Sequence, residues 1–203
     1  MTGIVDYGAG NLFSLSSSLK ALGEDVILLG DDENWDKCSH LILPGVGSFI
    51  PARKALSESG LEEKLLDEIR SGKPLLGICL GMQLLFDKGY EEGECPGLGL
   101  IPGSVISIKK IIPDGYKIPH IGWNRLRLTK PSLLFSRTKD GECVYFVHSY
   151  YAKTGMKNIS SVTDYGAPLT ASVEKDNVYG VQFHPEKSGK TGLGILESFL
   201  EIK

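Results

Sequence analysis

Apolar positions along the first half of the chain follow two alternating rhythms. Residues 2–6 form a short β-rich run, followed by Tyr7-Gly8-Ala9-Gly10-Asn11. Asn11 can cap a helix, and Leu12, Leu15, Leu19 and Leu22 then recur at helical spacing until Gly23 stops them. Residues 25–29 and His40–Leu43 read as the second and third strands, the latter ended by Pro44-Gly45-Val46-Gly47. A helical region starts at 51–57 and continues through Leu61, Leu65, Leu66 and Ile69 to a stop near Gly72. Residues 74–79 are continuously apolar, the mark of a strand buried on both faces of a parallel sheet, and 80–87 reads as the helix after it.

Strand and helix thus alternate over about the first 90 residues, which implies a parallel sheet with crossover helices. The second half changes character. Residues 105–109, Cys143–His148, 159–163, 169–174 and 178–183 are strand-like with turn residues between, and 192–202 carries Leu193, Leu196 and Leu200 as a closing helix. There is no internal repeat, low-complexity tract or linker. The expectation is one α/β domain over residues 1–203, leaning antiparallel in its C-terminal half.

Composition narrows the classes. The chain has 203 residues, 41% hydrophobic, with 22 Lys and Arg against 25 Asp and Glu, a formal charge of −3. That balance argues against a nucleic-acid binder, which needs a clustered basic surface. The apolar content argues against disorder. The first residues lack the charged and apolar regions of a secretory signal, and no apolar stretch approaches the ~18 residues of a membrane span. A cytoplasmic setting with reduced thiols is expected. The cysteines, Cys38, Cys79, Cys95 and Cys143, make no C-x-x-C pair, so no metal site is expected. The 25 glycines exceed the usual ~7% share and mark places where backbone turns tightly or approaches something closely.

Gly77-Ile78-Cys79-Leu80-Gly81 is the segment richest in chemistry. It is the G-x-nucleophile-x-G pattern of a nucleophile elbow, with cysteine in the serine position. Alone it reads equally as a structural cysteine between incidental glycines; the strand before and helix after point to chemistry. Cys79 would sit at a helix N-terminus, which favours thiolate, and the Leu80 N–H would face a developing oxyanion. A cysteine nucleophile needs a base, and the base an orienting group. His184, past an apolar strand, has Glu186 two residues on across Pro185, which stiffens the turn. His40 reads as structural. Pro44-Gly45-Val46-Gly47 also follows a strand, and its glycines let backbone amides supply a second oxyanion donor. The Walker pattern is absent, and Phe13 replaces the last glycine of a G-x-G-x-x-G, so phosphate-loop and dinucleotide readings are disfavoured.

These three separated motifs, in this order and over nearly the whole chain, resemble the class I (triad) glutamine amidotransferases. Pro119-His120-Ile121-Gly122-Trp123-Asn124, Phe146-Val147-His148-Ser149-Tyr150 and the run through His184-Pro185-Glu186-Lys187 are similar, within that family, to the glutaminases that serve imidazole glycerol phosphate synthesis in histidine biosynthesis. The resemblance implies a flavodoxin-like, three-layer α/β fold with a mostly parallel central sheet and flanking helices. It implies that Cys79 attacks the side-chain amide of glutamine, His184 moves the proton and Glu186 orients the imidazole. Leu80 and the Val46 and Gly47 turn would hold the oxyanion; Gln83, His148, Ser149 and Tyr150 would bind the substrate. No cofactor is implied. The ammonia has no acceptor domain in 203 residues, so a (β/α)₈-barrel cyclase is expected as heterodimer partner, with Pro119, His120, Trp123, Asn124 and Lys187 at the interface. The products would be imidazole glycerol phosphate and an aminoimidazole carboxamide ribotide. The alternatives are a glutaminase serving another synthase, a γ-glutamyl hydrolase, or a regulatory subunit without turnover, which the intact triad disfavours.

Overall fold

In the computed structural model, which describes residues 1–30 and 34–203, the elements run β1 (Thr2–Val5), α1 (Leu12–Ala21), β2 (Val26–Leu29), β3 (His40–Leu43), α2 (Phe49–Glu58), α3 (Leu61–Arg70), β4 (Leu75–Ile78), α4 (Leu80–Leu84), β5 (Phe86–Gly89), β6 (Cys95–Pro96), β7 (Ile101–Ser107), β8 (His120–Arg125), β9 (Arg127–Leu128), β10 (Cys143–His148), β11 (Tyr150–Lys153), β12 (Ile159–Asp164), β13 (Pro168–Lys175), β14 (Val178–Val181) and α5 (Gly189–Leu200).

The main sheet has the order β2-β1-β3-β4-β14-β13-β12-β9. Its pairings from β2 to β14 are parallel and those from β14 to β9 antiparallel. The parallel part has the flavodoxin-like order, which reverses direction between β1 and β3. Every residue of β1, β3, β4 and β14 is buried, as continuous apolar runs require when both faces of a sheet are covered. Alternate residues along the strands feed two cores. Leu41, Leu43 and Leu75 pack with Leu56, Leu65 and Ile69 of α2 and α3, whereas Ile42, Leu76 and Val181 pack with Leu15 and Leu19 of α1 and Ile195 and Phe199 of α5. That gives three layers. A four-stranded sheet, β11-β7-β5-β6, and the antiparallel pair β8–β10 stand beside it. Among the described residues no helix is long and apolar enough to cross a membrane.

The sequence pattern named no strand at β6, β8, β9 or β11, and three elements that it did name differ in extent. The helical region to Gly72 is two helices, because Gly60 takes a left-handed φ of 75° and breaks the ladder. The helix expected over 80–87 ends at Leu84. The N–H groups of Leu98, Leu100 and Gly99 bond the carbonyls of Leu84, Leu85 and Phe86, so those acceptors are lost to the helix and Phe86 opens a strand. The strand at 105–109 starts earlier, at Ile101, and turns over after Ser107.

The carboxyl ends of β1, β3, β4 and β14 converge where the strand order reverses. They deliver Tyr7, the Pro44–Gly47 turn, Cys79 and His184 to one rim, the usual position of a site in an open α/β sheet.

Candidate active site

Cys79 sits between β4 and α4 with φ 54° and ψ −110°, a left-handed backbone that costs a non-glycine residue about 1–3 kcal/mol. The surroundings hold it there. Its N–H donates to Val181 O at 2.7 Å, tying the elbow to β14. The flanking glycines are steric necessities: a Cβ at Gly77 would lie 2.8 Å from the Met82 backbone, and one at Gly81 would lie 1.9 Å from Leu43 O. The elbow is therefore backbone packed on backbone.

His184 follows β14 and shares the cavity wall with Cys79, while its Nδ1 lies 2.8 Å from Glu186 Oε1. A carboxylate can only accept, so Nδ1 carries the proton and Nε2 is left for the thiol. The histidine's own backbone is fixed twice: its N–H donates to Tyr145 O at 3.0 Å, and its carbonyl accepts from the buried Ser188 hydroxyl at 2.6 Å. Burial disfavours charge on the ring, but the hydrogen bonds to Cys79 and Glu186 and their charges outweigh it and raise the imidazole to about 9.

A cavity of about 300 Å³ opens over these groups, lined by Val46, Gly47, Cys79, Leu80, Gln83, His148, Ser149, Tyr150 and His184, with Pro119, Glu91 and Val147 completing its wall. Every residue expected to attack, hold the oxyanion or bind substrate therefore lies on one cavity, save Glu186, which stands behind His184. Gln83 is tied down: its Nε2 donates to Tyr150 O at 3.2 Å and to Gln182 Oε1 at 3.0 Å. Gln182, wholly buried just after β14 on the way to His184, also points its Nε2 at Cys79 Sγ, 3.7 Å away.

The residues expected at a partner face divide. Trp123 is 57% exposed and Lys187 is exposed, and both flank Gly189: a Cβ there would stand 3.9 Å from the Trp123 ring. Pro119 is exposed at the cavity rim. Asn124 is half-buried and donates to Asp164 O at 2.8 Å. His120 corrects the expectation: its ring is 2% exposed, stacked between Phe146 and Tyr165. It belongs to a relay rather than a surface. His148 Nδ1 must donate to Tyr150 O at 2.8 Å, so its Nε2 accepts from His120 Nδ1 at 3.0 Å, and His120 Nε2 accepts from Asn124 at 3.3 Å. Burial holds both rings down to about 4, in keeping with neutral members of such a chain.

The family model for glutamine amidotransferase class-I matches residues 3–202. The chain belongs to the class-I glutamine amidotransferase family. Among relatives of this amidotransferase are two called imidazole glycerol phosphate synthase subunit HisH. The one from Geobacillus thermodenitrificans is 47% identical, covering 100% of this chain and 96% of the relative. The one from Methanothermobacter thermautotrophicus is 46% identical, covering 100% and 98%. A solved structure described as a glutamine amidotransferase superposes with a TM-score of 0.76 at 21% identity, covering 98% of this chain and 97% of that one, which speaks to the fold.

Gln182, Glu91 and Tyr7 are additions of the structure to the amidotransferase's cavity and its support. Gln182 left a trace in the sequence, a polar residue inside an apolar strand. Glu91 left none. It lies in a turn after β5 and accepts the Phe49 N–H at 2.7 Å, capping α2, whose Ser48 makes no side-chain cap.

The four shifted histidines of the amidotransferase predict a stability optimum. His184 has its folded value raised above the ordinary 6.5, so its contribution is complete below pH 6.5 and is lost as pH rises to about 9. His40, His120 and His148 are lowered by burial, so their contribution is complete above 6.5 and is lost as pH falls, for His120 and His148 down to about 4. Melting temperature against pH should peak near 6.5, and His184→Gln should flatten the alkaline limb alone. A wild-type profile still rising at pH 9 would contradict the assignment.

Proposed function

We propose that this chain is the glutaminase half of an imidazole glycerol phosphate synthase. In this reading it hydrolyses glutamine in the cytoplasm and passes ammonia to a (β/α)₈-barrel cyclase held as a heterodimer partner. The observation that carries it is the Cys79–His184–Glu186 line beneath a cavity with backbone amides on one wall and polar side chains on the other. The name borne by the full-length relatives supports the choice of acceptor.

As Cys79 gives its proton to His184 Nε2, its sulfur forms a C–S bond to the side-chain amide carbon of glutamine, and the carbonyl electron pair moves to oxygen. The Leu80 N–H and an amide of the Val46 and Gly47 turn receive that charge. Collapse breaks the C–N bond, and His184 gives the proton it took from the thiol to the departing nitrogen so that ammonia leaves. Water then yields a proton to His184 and adds to the thioester. The second collapse breaks the C–S bond, frees glutamate and returns the proton from His184 to the sulfur. Gln83, His148, Ser149 and Tyr150 grip the amino-acid end, and Glu91 supplies a carboxylate for its ammonium group. Pro119, Trp123, Asn124 and Lys187 form the rim that meets the cyclase, with Trp123 as an exposed aromatic anchor.

The test is glutamate release from glutamine by the chain alone, with the cyclase, and with the cyclase plus its nucleotide. Val46 is 45% exposed and a Cβ at Gly47 would meet open space, so this end of the turn lacks packing that selects one conformation. A partner that favours the working state by about 2.7 kcal/mol raises turnover by about 100-fold. Full-rate turnover by the isolated chain would contradict this reading.

A further inference from the structure

The turn that supplies the oxyanion amide has one open end and one clamped end. At Val46 and Gly47 it faces solvent, and Gly47 takes a φ of 93°. At Pro44 and Gly45 it is buried. Tyr7, at the carboxyl end of β1, is 4% exposed and donates its hydroxyl to Pro44 O at 2.8 Å. Gly45 is wedged beside it. A Cβ there would lie 2.6 Å from Gly81 N, 2.9 Å from Leu80 Cβ and 3.0 Å from the Tyr7 hydroxyl oxygen. The same small volume thus holds the root of the turn, the Leu80 side of the elbow and one buried phenol.

We propose that Tyr7 is a positioning residue for the oxyanion turn: its hydroxyl holds the Pro44–Gly45 peptide against Leu80. The turn's amides and the Leu80 N–H then address one oxygen whenever Val46 and Gly47 adopt their working conformation. The hydroxyl is the active part, because the ring packs in the core either way. It remains a donor: burial, and then the charge of Cys79, push its ionisation well above the usual tyrosine range. The sequence placed no role on Tyr7, since the bond spans 37 residues and joins the end of β1 to the end of β3.

This inference rests on the glutaminase reading, and two reactions at one sulfur separate the two. Glutamine hydrolysis develops charge on a carbonyl oxygen and needs the turn. Alkylation of Cys79 by iodoacetamide forms a C–S bond with loss of iodide, develops no such charge, and needs only the thiolate. In the complex with the cyclase, Tyr7→Phe should lower kcat for glutamine about tenfold, a part of the 10²–10³ lost with a whole oxyanion donor. KM and the alkylation rate should stay within about twofold. Equal losses in both reactions would make Tyr7 a packing residue and overturn the proposal, as would undiminished hydrolysis. A wild-type complex that alkylates but never hydrolyses glutamine overturns the glutaminase reading and this proposal together, whereas active wild type beside equally active Tyr7→Phe overturns this proposal alone.

Discussion

Replacing Cys79 with alanine is expected to lower glutamine hydrolysis about 10⁴- to 10⁶-fold, the scale on which loss of a nucleophile removes the advantage of a whole catalytic triad. The fold should survive it. Cys79 is held by its N–H bond to Val181 O, by the Gln83 N–H that donates to its carbonyl, and by the close packing of Gly77 and Gly81, none of which involves sulfur. What disappears is the atom that His184 and Gln182 both address. His184 would also lose the partner that raises its ionisation most, so the variant should show a weaker alkaline loss of stability than the wild type. The measurement is steady-state glutamate release with the cyclase present, beside a thermal melt. Activity within tenfold of wild type, from a variant that melts normally, would remove Cys79 from the chemistry.

Gly81→Ala is expected to damage fold and activity together. Its Cβ would lie 1.9 Å from Leu43 O, 2.8 Å from Leu43 C and 3.1 Å from Pro44 C, all backbone atoms with no rotamer to escape into. Either the end of β3 or the elbow must move. The end of β3 leads into the oxyanion turn and the elbow carries Cys79, so either shift parts groups that must act on one substrate atom. Overpacking of this kind costs about 3 kcal/mol or more, which for a chain of this size lowers the melting temperature by roughly 6–12 °C. Misplacement by about 1 Å costs about 10² in rate, so glutaminase activity should fall at least that far even at low temperature. Gly23→Ala is the comparison. Its φ is 81°, yet nothing lies within 4 Å of its Cβ, so it should lose only the ~1–2 kcal/mol of a left-handed residue and keep its activity. If the two variants behave alike, the elbow is not backbone packed on backbone.

Sequence and structure agree best where interactions are local. Residues 74–79 read as a doubly buried strand because nothing polar interrupts them, and β4 is buried throughout. Glu186 follows His184 by two residues across a proline, so their pairing needed little beyond the turn itself. Asn11 caps α1 at Ser14 N from its own side chain. They part where distant segments compete for the same groups. Residues 80–87 carry a sound helical pattern, but N–H groups from 98–100 capture the carbonyls that would continue the helix. His120 looks like a surface residue beside Trp123 until Tyr165, 45 positions later, stacks on it and His148 turns it into a link to the cavity.

The local pattern was thus enough to single out Cys79, His184 with Glu186 and the Pro44–Gly47 turn as the candidate machinery, and to read the parallel half of the sheet. Each is encoded by neighbours within a few residues: glycines flanking a cysteine, a carboxylate two places after a histidine, apolar runs between turns. Folding alone put those segments on one rim, buried His120, aimed Gln182 at the sulfur and set Tyr7 under Pro44. These contacts depend on strand order, and strand order arises because each apolar face must be covered by some partner, a condition that no short stretch of chain can satisfy by itself.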